Sequence, residues 1–241
     1  MSDNKKLSPE SLMMSYGYTP NWSEGSIKCP IYQTSTFVFE SAEEGKSFFE
    51  QAYGSRERKV GERIPGLIYS RLNNPDIEIL ENRMALWDQA EDCASFESGM
   101  AAISTVMFEF CSPGGAILFS SPTYGGTDHF IRHFLKKINV DFIEFFPWET
   151  EEEIKNKIHL YQAKDRLQLI YIETPANPTN DLFDISMMVA MAKEFSSEKN
   201  SVKVAVDNTY MGPLWQNPLQ LGADITLYSA TKYIGGHSDV I

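Results

Sequence analysis

The sequence has few cationic side chains for its length, and it lacks a long apolar run. It is 241 residues long and carries 21 Lys and Arg against 33 Asp and Glu, which gives a net charge of −12. Nucleic-acid-binding proteins cluster Lys and Arg against phosphates, so this balance argues against that class. No apolar segment approaches the roughly 18 residues of a membrane span, and residues 1–10 lack the apolar core of a signal peptide. These deficits predict a cytoplasmic protein without nucleic-acid or membrane partners.

Cysteine is scarce, and neither the cysteines nor the histidines form a metal-binding pattern. Cys29, Cys93 and Cys111 are odd in number, and no pair has the spacing of metal ligands, so we expect reduced thiols. His129 and His133 have the i, i+4 spacing that zinc ligands on a helix can show. The intervening Glu of the metalloprotease motif is absent and a third ligand is not apparent, so no metal site is predicted.

The fingerprint Gly-x-Gly-x-x-Gly is missing, which argues against a nucleotide-dependent Rossmann enzyme. The chain instead has short apolar segments that alternate with helical stretches, typical of a parallel sheet with helices on both faces. A three-layer α/β/α fold is therefore predicted. The predicted strands are 93–96, 116–119, 140–146, 167–172, 202–206 and 225–228, and the predicted helices are 43–53, 77–90, 98–110, 125–138, 149–160 and 186–196. Residues 1–66 are assigned to an N-terminal arm and polar loop, and residues 67–241 to the large domain.

Polar and aromatic residues follow five of the predicted strands, at the edge where ligands bind in open α/β sheets. Gly99 lies at a predicted helix N-terminus, where free N–H groups and the helix dipole favour a phosphate. The amine of Lys232 can form a Schiff base with an aldehyde, and Asp207 can keep a ring nitrogen protonated. Tyr124 can stack on a flat ring. A phosphate, an aldehyde, a basic ring nitrogen and a planar ring together describe pyridoxal phosphate (PLP).

Each of these residues also has an ordinary structural explanation. Gly99 fits a tight turn, and Asp207 can cap the segment that follows it. Lys232 can be a solvated surface charge, and Tyr124 can be an aromatic residue of a turn. Their coincidence at one sheet edge, rather than any single residue, favours a cofactor-dependent enzyme.

Six segments resemble, in order, the motifs of the Cys/Met metabolism family of PLP enzymes, which includes cystathionine γ-synthase and γ-lyase. These segments are Ile68-Tyr69-Ser70-Arg71 with Asn74-Pro75, Ser98-Gly99-Met100-Ala101-Ala102-Ile103, Tyr124-Gly125-Gly126-Thr127, Glu173-Thr174-Pro175-Ala176-Asn177-Pro178, Val206-Asp207-Asn208-Thr209-Tyr210 and Ser229-Ala230-Thr231-Lys232-Tyr233-Ile234-Gly235-Gly236-His237-Ser238-Asp239. The resemblance covers nearly the whole chain. It implies the PLP-transferase-like major domain of fold type I, as in aspartate aminotransferase.

The resemblance implies a role for each matching residue at the ring of the cofactor. Lys232 would hold PLP covalently and then move protons at the α and β carbons of the substrate. Asp207 would pair with the pyridine nitrogen, and Tyr124 would stack on the ring and assist proton transfer. Asn177 would hydrogen-bond at the ring hydroxyl, and Glu173 would support the site from behind.

The resemblance also implies a phosphate site and an oligomer. Four residues of one subunit would hold the phosphate, namely Gly99, Met100, Ser229 and Thr231. Tyr69 and Arg71 would reach the phosphate bound by the neighbouring subunit, which implies a homodimer and usually a homotetramer. Arg71 suits that role because a guanidinium can grip a phosphate with two hydrogen bonds.

The implied activity is PLP-dependent transsulfuration at the β or γ carbon of a sulfur amino acid or homoserine ester. Cystathionine γ-synthase or γ-lyase is the leading expectation, with methionine γ-lyase and O-acetylhomoserine sulfhydrylase as alternatives. Gly126 argues against a dedicated methionine γ-lyase, because the best-known members of that group carry cysteine there. A non-catalytic homologue that acts as a binding scaffold is a further alternative. The presence of Lys232, Asp207 and Tyr124 argues against it.

The chain ends at Ile241, nine residues after Lys232. Members of the resembled family continue into a C-terminal domain, which supplies an arginine for the substrate carboxylate. The resemblance therefore implies that this domain is missing here and that the chain is a fragment. We expect such a fragment to be inactive by itself.

Overall fold

The structure is a computed structural model, and it describes residues 7–54 and 66–241. The chain forms two compact units, Met1–Ser95 and Phe96–Ile241. Residues 67–95, which the sequence analysis groups with the large domain, belong to the first unit. The predicted polar loop at 54–66 lies, except for its two end residues, outside the described residues.

The first unit is built from short helices joined by irregular segments. They are α1 (Pro9–Leu12), a 3-10 turn (Pro20–Ser23), α2 (Ala42–Ala52) and α3 (Pro75–Asp88). Ser41 is the N-cap of α2, because its side chain accepts a hydrogen bond from the N–H of Glu44 at 3.1 Å. Asn74 caps α3 by accepting from the N–H of Asp76 at 2.9 Å.

The second unit contains a five-stranded parallel sheet in the order β2-β1-β3-β4-β5. Its strands are β1 (Ala116–Ser120), β2 (Asp141–Phe145), β3 (Leu167–Glu173), β4 (Lys203–Asp207) and β5 (Ile225–Leu227). Its helices are α4 (Gly99–Phe110), α5 (Gly125–His129), a π-helix (Phe130–Leu135), α6 (Glu151–Leu160), α7 (Ile185–Phe195), α8 (Gly212–Trp215) and a 3-10 turn (Leu219–Leu221).

Helices cover both faces of this sheet, which confirms the predicted three-layer arrangement. Side chains alternate along a strand, so Ile117 and Phe119 of β1 face one way and Leu118 faces the other. The first two residues pack in one apolar cluster with Met107 of α4. Leu118 packs in a second cluster with Ile154 of α6 and residues of α7. Because both faces are buried, the strands are apolar throughout rather than alternating.

The predicted strand at 93–96 is wrong. Its backbone N–H groups donate to nearby carboxylates instead of to a neighbouring strand. The N–H of Cys93 donates to Asp92 at 2.8 Å, and that of Ser95 donates to Glu81 at 2.7 Å. A segment whose N–H groups are satisfied in this way does not need a sheet.

The predicted helix at 125–138 is present but less regular than expected. It consists of α5, the π-helix and a last pair of α-helical residues that ends at Lys137. The wider π-turn still buries Ile131 and Leu135 in the cluster beside β1. The other predicted strands and helices are present, with their ends shifted by a few residues.

Candidate active site

The carboxyl ends of the central strands bring two carboxylates together. Glu173 is the last residue of β3 and Asp207 is the last residue of β4, and the register pairs them across the two strands. Asp207 in turn pairs with Leu227, the last residue of β5. The segment that carries Lys232 follows β5 directly. The ligand-binding edge of the sheet is therefore lined by acids with a lysine beside them.

The Asp207 carboxylate is buried, and both of its oxygens accept hydrogen bonds. Oδ1 accepts from the N–H of Thr209 at 3.1 Å and from its hydroxyl at 2.6 Å. Oδ2 accepts from the hydroxyl of Tyr171 at 3.1 Å. Burial raises the pKa of Asp207, while these donors and the charge of Lys232 oppose the rise.

The Glu173 carboxylate joins the segments that follow β1 and β3. Its Oε2 accepts from the N–H of Tyr124 at 2.6 Å and from the hydroxyl of Thr123 at 2.8 Å. Its Oε1 accepts from the N–H of Asn177 at 2.8 Å. Burial, followed by the charge of Asp207, raises the pKa of Glu173, and the three donors oppose the rise.

The N-terminus of α4 packs against the segment that follows β5. A Cβ atom added to Gly99 would lie 3.0 Å from the Cβ of Ser229, so only glycine fits this approach without displacement. The N–H of Ser229 donates to the Thr209 hydroxyl at 2.8 Å, and that hydroxyl donates to Asp207. Ser98 caps the helix by accepting from the N–H of Ala101 at 3.1 Å. The predicted phosphate residues Gly99 and Ser229 are therefore adjacent.

Tyr124 and Met100 lie over Gly126. A Cβ atom at Gly126 would be 2.7 Å from Cε1 of Tyr124 and 3.0 Å from the sulfur of Met100. Tyr124 as a residue is 43% exposed, which leaves it accessible for stacking. Met100 follows Gly99 in the first turn of α4, so the aromatic platform and the helix N-terminus lie side by side.

The residues present fit PLP. The close approach of Gly99 to Ser229 brings the hydroxyl of Ser229 beside the start of α4, where helix N–H groups and this hydroxyl can bind a phosphate. Asp207 is 6% exposed and retains a buried carboxylate for a ring nitrogen. Lys232 is exposed and offers a primary amine, and Thr231 adds a partly exposed hydroxyl beside it. The hydroxyls suit the phosphate of PLP, the carboxylate suits its pyridine nitrogen, and the amine suits its aldehyde.

Tyr69 and Arg71 belong to the first unit. The segment that carries them is held by the arm, because the N–H of Ser70 donates to the carbonyl of Ser35 at 2.9 Å and Thr36 bridges to Tyr69. The guanidinium of Arg71 lies 5.8 Å from the centre of the Tyr69 ring. The structure thus pairs these two side chains with each other.

Sequence reasoning missed Tyr171, and it gave Thr209 no role. Tyr171 is fully buried in β3, where it reads as one more apolar strand residue. A buried tyrosine hydroxyl needs a polar partner, and Tyr171 lies two residues before Glu173 on the same face of the strand. That spacing toward the carboxyl end is the signal that points to the site.

The described residues hold no group of three or more His, Cys, Asp or Glu side chains that suits a metal ion. His129 and His133 lie with their ring centres 4.4 Å apart at an angle of 40°. Within the same residues, no helix has both the length and the apolar character needed to cross a membrane.

Proteins of known classification are similar to this chain over most of its length. It is 38% identical over 217 residues to an L-methionine gamma-lyase of Treponema denticola, which covers 90% of this chain and 49% of that protein. It is 35% identical over 235 residues to a cystathionine gamma-lyase of Bacillus subtilis, which covers 98% and 54% respectively. The chain therefore spans about half the length of the curated relatives it matches.

A solved structure is similar as well. A candidate O-acetylhomoserine (thiol)-lyase of Campylobacter jejuni, which holds N'-pyridoxyl-lysine-5'-monophosphate, superposes with a TM-score of 0.80 at 26% identity. The match covers 97% of this chain and 52% of that one. The family model described as Cys/Met metabolism PLP-dependent enzyme matches residues 10–241. This chain belongs to that family.

Proposed function

We propose that this chain forms the PLP-binding part of a transsulfuration enzyme, which acts at the β or γ carbon of a sulfur amino acid or homoserine ester. The observation that carries this proposal is the buried Asp207 carboxylate at the end of β4, with Lys232 in the segment that follows the neighbouring strand β5. Family membership supports the cofactor. Asp207 and Lys232 both follow strands at the carboxyl edge of the parallel sheet, which supports this edge as the place where the reaction occurs.

The residues of this chain divide the work between binding and proton transfer. The backbone at Gly99 and Met100 and the hydroxyls of Ser229 and Thr231 bind the phosphate, since they offer N–H and O–H donors near a helix N-terminus. Tyr124 stacks on the ring, and Asn177 binds at the ring hydroxyl in this proposal.

When bound, PLP supplies an electron sink for the electron pair left at the substrate α carbon. Asp207 holds a proton at the ring nitrogen, which its buried negative charge favours. Lys232 would hold PLP through the cofactor aldehyde, and its amine would move protons between the α carbon and a neighbouring carbon of the substrate. Tyr124 assists this transfer from the face of the ring.

The leading proposal within the family is the activity of a cystathionine γ-synthase or a cystathionine γ-lyase. Two alternatives within the family have specific support. The 38% identity to a methionine γ-lyase favours that activity, although Gly126 stands where the best-known enzymes of that group carry cysteine. The likeness to a candidate O-acetylhomoserine (thiol)-lyase favours a sulfhydrylase. Product analysis of the protein with each substrate separates the three.

We further propose that residues 1–66 act as an arm at a subunit interface and that Tyr69 and Arg71 serve the phosphate of a neighbouring subunit. Tyr69 is 39% exposed and Arg71 lies beside it, so both are accessible to a second copy of the chain. A homodimer or homotetramer in the cytoplasm completes this proposal.

The proposal is tested by adding PLP, reducing with borohydride and mapping the labelled peptide. We expect the wild type to carry the pyridoxyl group on Lys232 and Lys232→Ala to carry none there. Lys203→Ala is the matched control, because Lys203 is a lysine at the start of β4 that forms an ion pair with Asp224, just before β5, at 3.0 Å. It should label like the wild type. A folded wild-type protein without label on Lys232 would contradict the proposal.

A further inference from the structure

We infer that Glu173 is a positioning residue, whose carboxylate fixes the stacking residue Tyr124 and the segment of Asn177 in the arrangement that receives the PLP ring. The inference rests on the proposed function. It specifies how Glu173 supports the site, namely through Tyr124 and Asn177 and without contact with the reacting atoms.

The hydrogen bonds of Glu173 reach the two segments that carry ring contacts. Oε2 accepts from the N–H of Tyr124 at 2.6 Å, and Oε1 accepts from the N–H of Asn177 at 2.8 Å. The hydroxyl of Thr123 donates to Oε2 at 2.8 Å. One side chain thus sets the separation between the end of β1 and the end of β3, and with it the space between Tyr124 and Asn177.

The anchor itself lies in the rigid part of the fold. Glu173 is the last residue of β3 and pairs in register with Asp207. Its own N–H donates to the hydroxyl of Ser120, the last residue of β1, at 3.0 Å. Its exposed fraction is 4%. A side chain held at both its backbone and its carboxylate transmits the geometry of the sheet to the segments bonded to it.

The chemistry at this position calls for a carboxylate. All three partners of the side chain are donors, and an ionised carboxylate is purely an acceptor. An amide in the same place would turn its own N–H groups toward one of these donors and leave an N–H of the backbone without a partner. The three donors also offset the burial and the charge of Asp207, both of which raise the pKa of Glu173.

The other candidate role for Glu173 is catalysis by the carboxylate itself. Its two oxygens are already engaged by Thr123, Tyr124 and Asn177. A group bonded in this way to its own protein does not transfer protons to a substrate without releasing those partners. Positioning is therefore the role that the contacts support.

The test is Glu173→Gln, which keeps the size of the side chain. The first readout is hydrogen exchange of the Tyr124 and Asn177 amides in the PLP-free protein, measured by NMR. We expect both amides to exchange at least about tenfold faster, because each loses a charged acceptor. The second readout is PLP binding, for which we expect a Kd about tenfold higher and a weaker visible circular dichroism of the bound ring.

Glu149→Gln is the matched control. The Glu149 carboxylate also accepts a backbone N–H, that of Phe146 at 2.8 Å, but it lies in the segment after the edge strand β2. The Glu149→Gln variant should change neither the hydrogen exchange of the Tyr124 and Asn177 amides nor the Kd for PLP. Unchanged exchange in a folded Glu173→Gln protein would overturn the inference. So would faster exchange with an unaltered Kd and dichroism.

A second variant keeps the inference testable where Glu173→Gln does not fold. Thr123→Val removes one donor from Oε2 and leaves the two backbone bonds. We expect a Kd for PLP about threefold higher, and an unchanged Kd would count against positioning. Failure of the proposed function has a different signature. The wild type would then lack the label on Lys232, while the amide exchange would still respond to Glu173→Gln.

Discussion

Glu173 and Asp207 are neighbours across two strands, yet their donors differ. Glu173 accepts two backbone N–H groups and one hydroxyl from segments after β1 and β3. Asp207 accepts from Thr209 and from the hydroxyl of Tyr171, with the Lys232 charge nearby. The first acid is therefore bonded to the framework of the site. The second accepts from two hydroxyls and one backbone N–H, and the charge of Lys232 favours its ionised form, which suits a group that faces a charged ring.

Tyr171→Phe tests how Asp207 is kept in its charged form. The variant removes one hydroxyl that donates to Oδ2 and leaves the shape of the buried ring. Loss of a donor to the charged form raises the pKa of Asp207 further, and we expect the unfolding free energy to fall by about 1–3 kcal/mol. The pKa can be followed by carboxyl-carbon NMR of the PLP-free protein.

Tyr18→Phe controls for the loss of a tyrosine hydroxyl. The Tyr18 hydroxyl donates to the carbonyl of Ser26 at 2.7 Å in the first unit. This change should leave the pKa of Asp207 as it is in the wild type. If Tyr171→Phe and Tyr18→Phe gave the same titration of Asp207, the hydroxyl of Tyr171 would have no part in setting that charge.

At the scale of elements, apolar runs identify the strands well because both faces of the sheet are buried. The run Ala116–Ser120 is completely buried, and the periodicity of its neighbours predicts the helices that cover it. The segment 93–96 has a similar composition but satisfies its N–H groups with the side chains of Asp92 and Glu81. Composition alone does not distinguish these two ways of satisfying the backbone.

The candidate site could be predicted as far as its residues differ chemically from their surroundings. A lysine, an aspartate or a tyrosine directly after an apolar strand is conspicuous in the sequence. Tyr171 lies inside such a strand and Thr209 lies in a turn, so only the folded chain shows that both bond to Asp207. Hydrogen bonds between strands distant in sequence depend on strand order and register, which local patterns do not specify.

The segment 69–71 is the element whose proposed role crosses subunits, and mixing variants tests it. Arg71→Ala keeps Lys232, and Lys232→Ala keeps Arg71. If Arg71 serves the neighbouring subunit, a mixed dimer contains one site with both residues intact. We expect each variant alone to bind PLP weakly or without the covalent label. The refolded mixture should regain label in up to about half of the mixed sites.

The recovered label should lie on Lys232 of the Arg71→Ala subunit, which peptide mapping of differently tagged subunits can establish. Separately refolded variants combined just before the assay provide the control, since they cannot exchange subunits in that time. A mixture that labels no better than this control would show that Arg71 does not act across the interface.

The many acidic residues of the molecule make its free energy of unfolding depend on pH. The direction of the contribution from Asp207 and Glu173 follows from their raised pKa values. The chain carries 33 acidic residues, and burial raises the pKa of both Asp207 and Glu173 above their ordinary values of 3.8 and 4.5. Between its ordinary and its raised pKa, such an acid binds more protons in the folded than in the unfolded chain. The free energy of unfolding that it contributes therefore decreases as the pH rises through this range.

Removing both acids isolates this contribution. The double variant Asp207→Asn with Glu173→Gln loses hydrogen bonds at every pH, so its absolute stability differs from that of the wild type. The pH dependence of that difference reports the two titrations alone. In urea unfolding of the PLP-free proteins from about pH 4 to about pH 8, we expect the wild-type value minus the variant value to decrease with pH and then level off. A difference that stays flat or rises would mean that the folded sheet edge does not disfavour the two charges. In that case the donors described for Asp207 and Glu173 would outweigh both their burial and their mutual repulsion.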